Sequence, residues 1–189
     1  MTAAADRRLR RAVFLDRDGV LNRAELRDGR PHPPPDAASA QLLPDALAAC
    51  EQLKAAGAVL VVVTNQPDVR RAHTTGESVS AINDWLRARL PVDDVRTCLH
   101  DDADDCACRK PRPGLLVQAA DELGLDLPSS VMVGDRWKDV AAGRRAGCRT
   151  VFVDRDYAER RPQGPDLTVH SLGDAVPWII ERLDEERSA

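Results

Sequence analysis

Four short apolar runs, three of them cut off by an abrupt polar turn, constrain this chain more than any other feature. Ala12-Val13-Phe14-Leu15 stops at Asp16-Arg17-Asp18-Gly19, residues 58–63 stop at Thr64-Asn65-Gln66, and residues 131–133 stop at Gly134-Asp135. Residues 150–153 form the fourth run, with 95–99 and 167–169 as weaker candidates. Runs that are apolar throughout suit strands of a parallel sheet covered on both faces. Helical patterns fill the intervals. Residues 44–56 carry Leu47, Cys50 and Leu53 at a spacing of three, with Pro44 suited to a first turn and Gly57 to a stop. Residues 78–90 align Val79, Ile82, Trp85/Leu86 and Leu90, while 113–123 and 135–146 end at Gly124 and Gly147. A last helix over 174–183 tolerates Pro177 near its start. Strands alternating with helices predict an α/β fold with a mostly parallel central sheet and helices on both faces.

One segment has no such pattern. Residues 22–43 include Pro31, Pro33, Pro34 and Pro35 and no periodicity, too long for an ordinary βα connection. Its place directly after the Asp16 turn fits a substrate-facing flap, and a solvated excursion fits equally well. With 189 residues the chain suffices for one well-buried domain spanning 1–189. A net charge of −4 argues against a nucleic-acid surface, and no apolar run approaches the ~20 residues that span a bilayer. The arginine-rich stretch before residue 12 lacks the apolar core of a secretory signal and is expected to fray. The five cysteines fit a reducing compartment and a metal better than disulfides, so a cytoplasmic enzyme is expected.

Ligands of open parallel sheets bind at the carboxyl ends of the strands. That edge should receive Asp16 and Asp18 from the first run, Thr64 and Asn65 from the second, and Asp135 from the third. Asp139, four residues after Asp135, is expected on the same helix face. Two carboxylates ~4 Å apart at an effective dielectric of ~20 repel by about 4 kcal/mol. Convergence of several therefore calls for a cation, and a set of few oxygen ligands suits Mg²⁺. Arg109 and Lys110 bring further positive charge. Alone, Asp-x-Asp-Gly after a strand is an ordinary Asx-stabilised turn; four separate elements at four successive strand ends are not.

A second metal set is written in Cys98-x-His100 and Cys106-x-Cys108. Three thiolates and one imidazole make a closed, structural zinc shell with no open position for catalysis. The other reading is a free-thiol loop with a solvated histidine. Asp101, Asp102, Asp104 and Asp105 fill the spacer and are expected to face solvent, and Cys50 and Cys148 to be core residues. A zinc-stapled loop over 98–108 would fix Arg109, which follows it directly.

Together these motifs resemble the haloacid-dehalogenase-like (HAD) phosphatase superfamily. Residues 14–22, Phe-Leu-Asp-Arg-Asp-Gly-Val-Leu-Asn, resemble its first motif and Thr64-Asn65-Gln66 its second. Lys110-Pro111 resembles the third, and Val133-Gly134-Asp135 with Asp139 the fourth. Residues 106–114 are similar to the small-cap branch that contains heptose bisphosphate phosphatases and the histidinol-phosphatase domain. The resemblance implies that Asp16 is a nucleophile forming an aspartyl-phosphate and Asp18 the acid–base partner. It implies that Thr64 and Lys110 hold phosphoryl oxygens, with Mg²⁺ held by Asp16, the Asp18 carbonyl and Asp135. Asn65, Gln66 and Arg109 are the expected substrate-binding residues. A small phosphorylated sugar is the expected substrate, with no nucleic-acid or membrane partner and a monomeric enzyme.

Two stretches depart from the family pattern. Pro67-Asp68-Val69-Arg70-Arg71-Ala72-His73 replaces a small, glycine-containing loop, and the proline-rich segment replaces a simpler one. Arg70, Arg71 and His73 could bind a second phosphate or be solvated charges. His32 and His170 are expected at the surface. Histidinol phosphate is the alternative substrate, and a catalytically silent zinc-containing scaffold the reading from another class.

Overall fold

The computed structural model describes residues 9–185. Its centre is a six-stranded sheet, entirely parallel, in the order β5-β4-β1-β6-β7-β8. The strands are β1 (Ala12–Leu15), β4 (Val59–Asn65), β5 (Asp94–Cys98), β6 (Val131–Gly134), β7 (Arg149–Val153) and β8 (Leu167–Val169). The helices are α1 (Ala46–Ala55), α2 (Gly76–Arg87), α3 (Gly114–Leu123), α4 (Trp137–Ala146) and α5 (Leu172–Glu185). All six predicted strands and all five predicted helices are present, with ends shifted by a few residues. Gly124 and Gly147 terminate α3 and α4 in left-handed conformations, as expected of C-terminal glycines. The predicted fraying of the first eleven residues falls mostly outside the described residues. No helix among the described residues is long and apolar enough to cross a membrane.

Burial on both faces explains why the strands read as continuous apolar runs. Along β1, Val13 and Leu15 join one core with Leu53 of α1 and Ile179 of α5, while Ala12 and Phe14 join the other with Leu116 of α3 and Ala142 of α4. All four β1 side chains are fully buried, which places the strand at the centre of both layers. Cys50 and Cys148 are buried members of these cores.

The proline-rich segment is not structureless. Glu25–Arg27 (β2) and Arg30–His32 (β3) pair as an antiparallel hairpin. Asp28 and Gly29 form its tip, both at positive φ (52° and 71°), the conformation a two-residue hairpin turn needs.

From β1 the chain runs to β4 and β5 on one side, then returns to β6 and proceeds to β7 and β8 on the other. The direction reverses between β1 and β6, so their carboxyl ends flank the crevice where such sheets bind ligands. Asp16 and Asp135 follow those two strand ends.

Candidate active site

Asp16 lies one residue past β1, its N–H donating to the Val133 carbonyl at 2.9 Å, so the ladder itself fixes the side chain at the switch point. Its Oδ1 accepts the Arg17 N–H at 2.8 Å and lies 2.9 Å from Lys110 Nζ. Lys110 is almost fully buried. Its three donors meet three acceptors: Asp16 Oδ1, Asp139 Oδ1 at 2.6 Å and the Val63 carbonyl at 2.7 Å. Burial pushes the Asp16 carboxyl up to about 7, with Asp139 adding to the rise and Lys110 opposing it. Burial raises Asp135 well above the usual carboxylate range, with further contributions from Asp16 and Asp139.

The three carboxylates Asp16, Asp135 and Asp139 place oxygens within 4.8 Å of one another. Their oxygens are used differently. Asp139 gives Oδ1 to Lys110 and accepts the Arg136 N–H on Oδ2 at 2.9 Å, closing the first turn of α4. Neither Asp135 oxygen has a hydrogen-bond partner, although the residue is only 2% exposed. Two orphaned oxygens beside a buried carboxylate fit a divalent cation held by Asp16 and Asp135. Asp135 and Asp139 do not share a helix face as expected. α4 begins at Trp137, so Asp135 belongs to the strand–helix turn, and it is the turn that brings the pair together.

Asp18 is held by three residues. Arg17 donates from Nε at 3.2 Å and Nη2 at 3.0 Å, Asn22 Nδ2 at 2.9 Å and Gln66 Nε2 at 2.8 Å. Arg17 is fully buried and reaches on to Asn83 Oδ1 at 2.9 Å, tying the turn to α2. Gln66, expected to meet substrate, is instead buried beneath the site, its amide bridging Asp18 and Thr64 Oγ1 (2.8 Å). Asn65 exchanges bonds with the Lys110 backbone, donating to its carbonyl at 2.9 Å and accepting its N–H at 3.1 Å. It thereby fixes Lys110 while also lining the cavity.

Above these groups opens a cavity of about 310 Å³. Asp16, Asp18, Thr64 and Lys110 form its floor, and Arg71, Arg109, Arg136 and Lys138 line its sides. Arg30, Pro31, His32 and Pro33 of the hairpin also line it, so His32 is a cavity residue rather than a remote surface one. His170 is exposed, as expected, with Nδ1 3.4 Å from the Asp154 carbonyl.

Cys98, His100, Cys106 and Cys108 converge beside the cavity. Cys108 Sγ lies 3.3 Å from Cys98 Sγ, 3.4 Å from Cys106 Sγ and 3.3 Å from His100 Nδ1, and Cys98 Sγ lies 3.7 Å from Cys106 Sγ and 3.6 Å from His100 Nδ1. A tetrahedral ion with Zn–S bonds of ~2.3 Å needs ligand separations of roughly 3.5–3.8 Å, so the set fits one closely. The acidic spacer does not merely face solvent, because each of its aspartates holds an arginine. Asp101 takes Arg71 on both oxygens at 2.7 and 2.8 Å, Asp102 takes Arg109 Nε at 2.8 Å, Asp104 takes Arg70 at 3.0 Å, and Asp105 pairs with Arg112. The two-pronged contact with Arg71 pulls Asp101 down to about 2. Arg109 also donates to the His100 carbonyl at 3.2 Å, so the loop grips it from two points.

Arg17, Arg136 and Lys138 escape a motif reading because their neighbours Asp16, Asp18, Asp135 and Asp139 draw the attention. One signal was available: residues adjoining strand-end motifs share the edge that receives ligands. Arg71 was visible only as one of two alternatives.

The open parallel sheet and the buried aspartate–lysine pair at its switch point are the arrangement that the resemblance to HAD-like phosphatases implies. The HAD-hydrolase-like family model matches residues 107–175. The chain is 36% identical over 189 residues to the D-glycero-beta-D-manno-heptose-1,7-bisphosphate 7-phosphatase of Pasteurella multocida, covering 93% of this chain and 99% of the relative. The enzyme of that name from Escherichia coli K12 is 31% identical, at 90% and 94% coverage. A crystal structure of D,D-heptose 1,7-bisphosphate phosphatase from B. bronchiseptica, complexed with magnesium and phosphate, superposes with a TM-score of 0.75 at 29% identity, covering 93% of this chain and 99% of that one. The chain belongs to the HAD-like hydrolase family, among its phosphoric monoester hydrolases.

Proposed function

We propose that this enzyme removes the C7 phosphate of D-glycero-D-manno-heptose 1,7-bisphosphate through an aspartyl-phosphate on Asp16. The observation that carries this reading is the Lys110 ammonium 2.9 Å from Asp16, at the floor of a cavity whose sides are lined by arginines and a lysine. A monophosphate needs one such anion clamp; the additional cations suit a substrate with a second phosphate. The names of the similar enzymes agree with that choice and do not favour histidinol phosphate.

In the first step an Asp16 oxygen bonds to phosphorus as the ester P–O bond breaks. The electron pair leaves on the sugar oxygen, which takes the Asp18 proton. In the second step Asp18 accepts a proton from water, the water oxygen attacks phosphorus, and the Asp16 carboxylate departs. Gln66, touching both Asp18 and Thr64, keeps the acid–base group and the phosphoryl-binding hydroxyl in register. Lys110 has no spare donor while it pairs with Asp16. As Asp16 bonds to phosphorus and loses its charge, one Lys110 N–H turns to an equatorial oxygen, where charge gathers. Asp16 and Asp135, with the Asp18 carbonyl, would hold Mg²⁺, which when bound supplies positive charge to the phosphoryl oxygens. Zn²⁺ in the Cys98, His100, Cys106 and Cys108 set would staple the loop that presents Arg109 and perform no chemistry. The hairpin serves as the flap over this cavity.

A phosphate-release assay with magnesium tests the substrate, comparing both heptose 1,7-bisphosphate anomers with histidinol phosphate at low concentration. Preference for a heptose anomer is expected. Preference for histidinol phosphate, or turnover of neither, would overturn the substrate assignment and leave the aspartate mechanism to be judged separately.

A further inference from the structure

The chain leaving β7 doubles back over the site along residues 154–161. Asp156 sits at φ +54°, a left-handed conformation that aspartate tolerates better than most residues, and it turns the following side chain inward. The flanking residues are pinned to three parts of the active site. Arg155 Nε donates to the Gly19 carbonyl in the nucleophile turn at 2.9 Å, and the Ala158 N–H donates to the Gly29 carbonyl at the hairpin tip at 2.9 Å. Glu159 accepts Arg136 Nε at 2.9 Å on the cavity wall. Tyr157 stands between these anchors, and its hydroxyl and the Asp135 carboxylate border the same point beside Gly19. A Cβ at Gly19 would fall 1.8 Å from Asp135 Oδ2 and 2.7 Å from the Tyr157 hydroxyl, so both groups close over a position that only glycine fits.

We infer that Tyr157 is a positioning residue for the cation site: its hydroxyl stands beside the unpartnered Asp135 carboxylate, orients it when a divalent ion is bound, and so sets how tightly Asp16 and Asp135 hold that ion. The inference rests on the assignment of Asp135 as a cation ligand. A buried carboxylate offers about four lone-pair sites, and a cation takes one or two. Both Asp135 oxygens lack a partner, and Tyr157 brings an O–H to them from a segment fixed on both sides. Outer partners of this kind orient a ligand, and their loss typically weakens metal binding about 10–100-fold.

The test uses Tyr157→Phe, which keeps the ring and removes only the hydroxyl. Enzyme freed of magnesium by dialysis without chelator is titrated with Mn²⁺, and free Mn²⁺ is read by electron paramagnetic resonance. The melting temperature without divalent ion is measured alongside. The expected result is a Kd raised about 10–100-fold with an unchanged melting temperature. A Kd within about twofold of wild type, whatever the melting temperature, overturns the inference and assigns the tyrosine to packing. Equal Mn²⁺ binding by wild type and Asp135→Asn would overturn the cation assignment itself, and the role of Tyr157 with it.

Discussion

Lys110 and Asp139 form an ion pair of 2.6 Å in which both side chains are only 2% exposed. Such a pair fixes the lysine that faces Asp16, and breaking it by removing one charge typically costs about 3–5 kcal/mol, because the other charge is left buried. Asp139→Asn retains an oxygen for the Arg136 N–H and removes the charge. Chemical denaturation should show a loss of about that size, accompanied by a fall in kcat. A variant as stable and active as wild type would refute the pairing.

Lys110→Ala removes the donor proposed to meet the phosphoryl group. Loss of one such preorganised donor costs about 10²–10³ in kcat. Steady-state turnover of an aryl phosphate with magnesium measures it, and a loss below about tenfold would place the phosphate elsewhere.

Removal of the zinc proposed for the cysteine–histidine loop should act on binding first. Arg109 is gripped by Asp102 and the His100 carbonyl, both inside that loop. A sample shown to be zinc-free by elemental analysis should have a KM for the bisphosphate raised about tenfold, worth about 1.4 kcal/mol, and a kcat changed much less. Identical kinetics with and without zinc would separate the loop from substrate binding.

The carboxylate cluster predicts how magnesium-free enzyme responds to pH. The Asp16 carboxyl is raised from 3.8 to about 7, chiefly by burial, and Asp135 is raised in the same direction. The folded state therefore binds more protons than the unfolded one between these values, and stability falls as pH rises. Magnesium-free enzyme should lose melting temperature from about pH 4 to about pH 7, and added magnesium should restore more at pH 8 than at pH 5. A magnesium shift independent of pH would contradict the cluster's electrostatics.

The hairpin should sense the substrate rather than the chemistry. Arg30 and His32 line the cavity from outside the phosphoryl floor. Arg30→Ala should raise KM for the bisphosphate about fivefold, as expected of about 1 kcal/mol from an exposed charge, while aryl phosphate turnover stays near wild type. Equal effects on both substrates would remove the hairpin from recognition.

Much of this was written in the chain. β1 and β4 were legible because both of their faces are buried, Asp16, Asp18 and Thr64 because each stands at an abrupt strand end, and Lys110 because it precedes a helix beside a proline. Asp135 and Asp139 were placed together for the wrong reason, since spacing four does not show where a helix begins. The hairpin was hidden by its prolines, although Asp28-Gly29 is a strong two-residue turn signal that should have exposed it. Gln66 looks like a substrate ligand by position, yet its burial turns the amide toward Asp18. The pairing of Asp101 with Arg71 joins two loops remote in sequence, and Tyr157 approaches Asp135 only through a turn after β7; no local pattern encodes either.

Covalent trapping tests the central claim most directly. Asp18→Asn enzyme, which should form the aspartyl-phosphate but hydrolyse it slowly, is mixed with substrate and magnesium, quenched in acid and reduced with borohydride. Peptide mass spectrometry is predicted to find homoserine at position 16, the reduction product of an acyl phosphate there. Homoserine at another position, or full activity in Asp16→Asn, would contradict the assignment of Asp16 as the nucleophile.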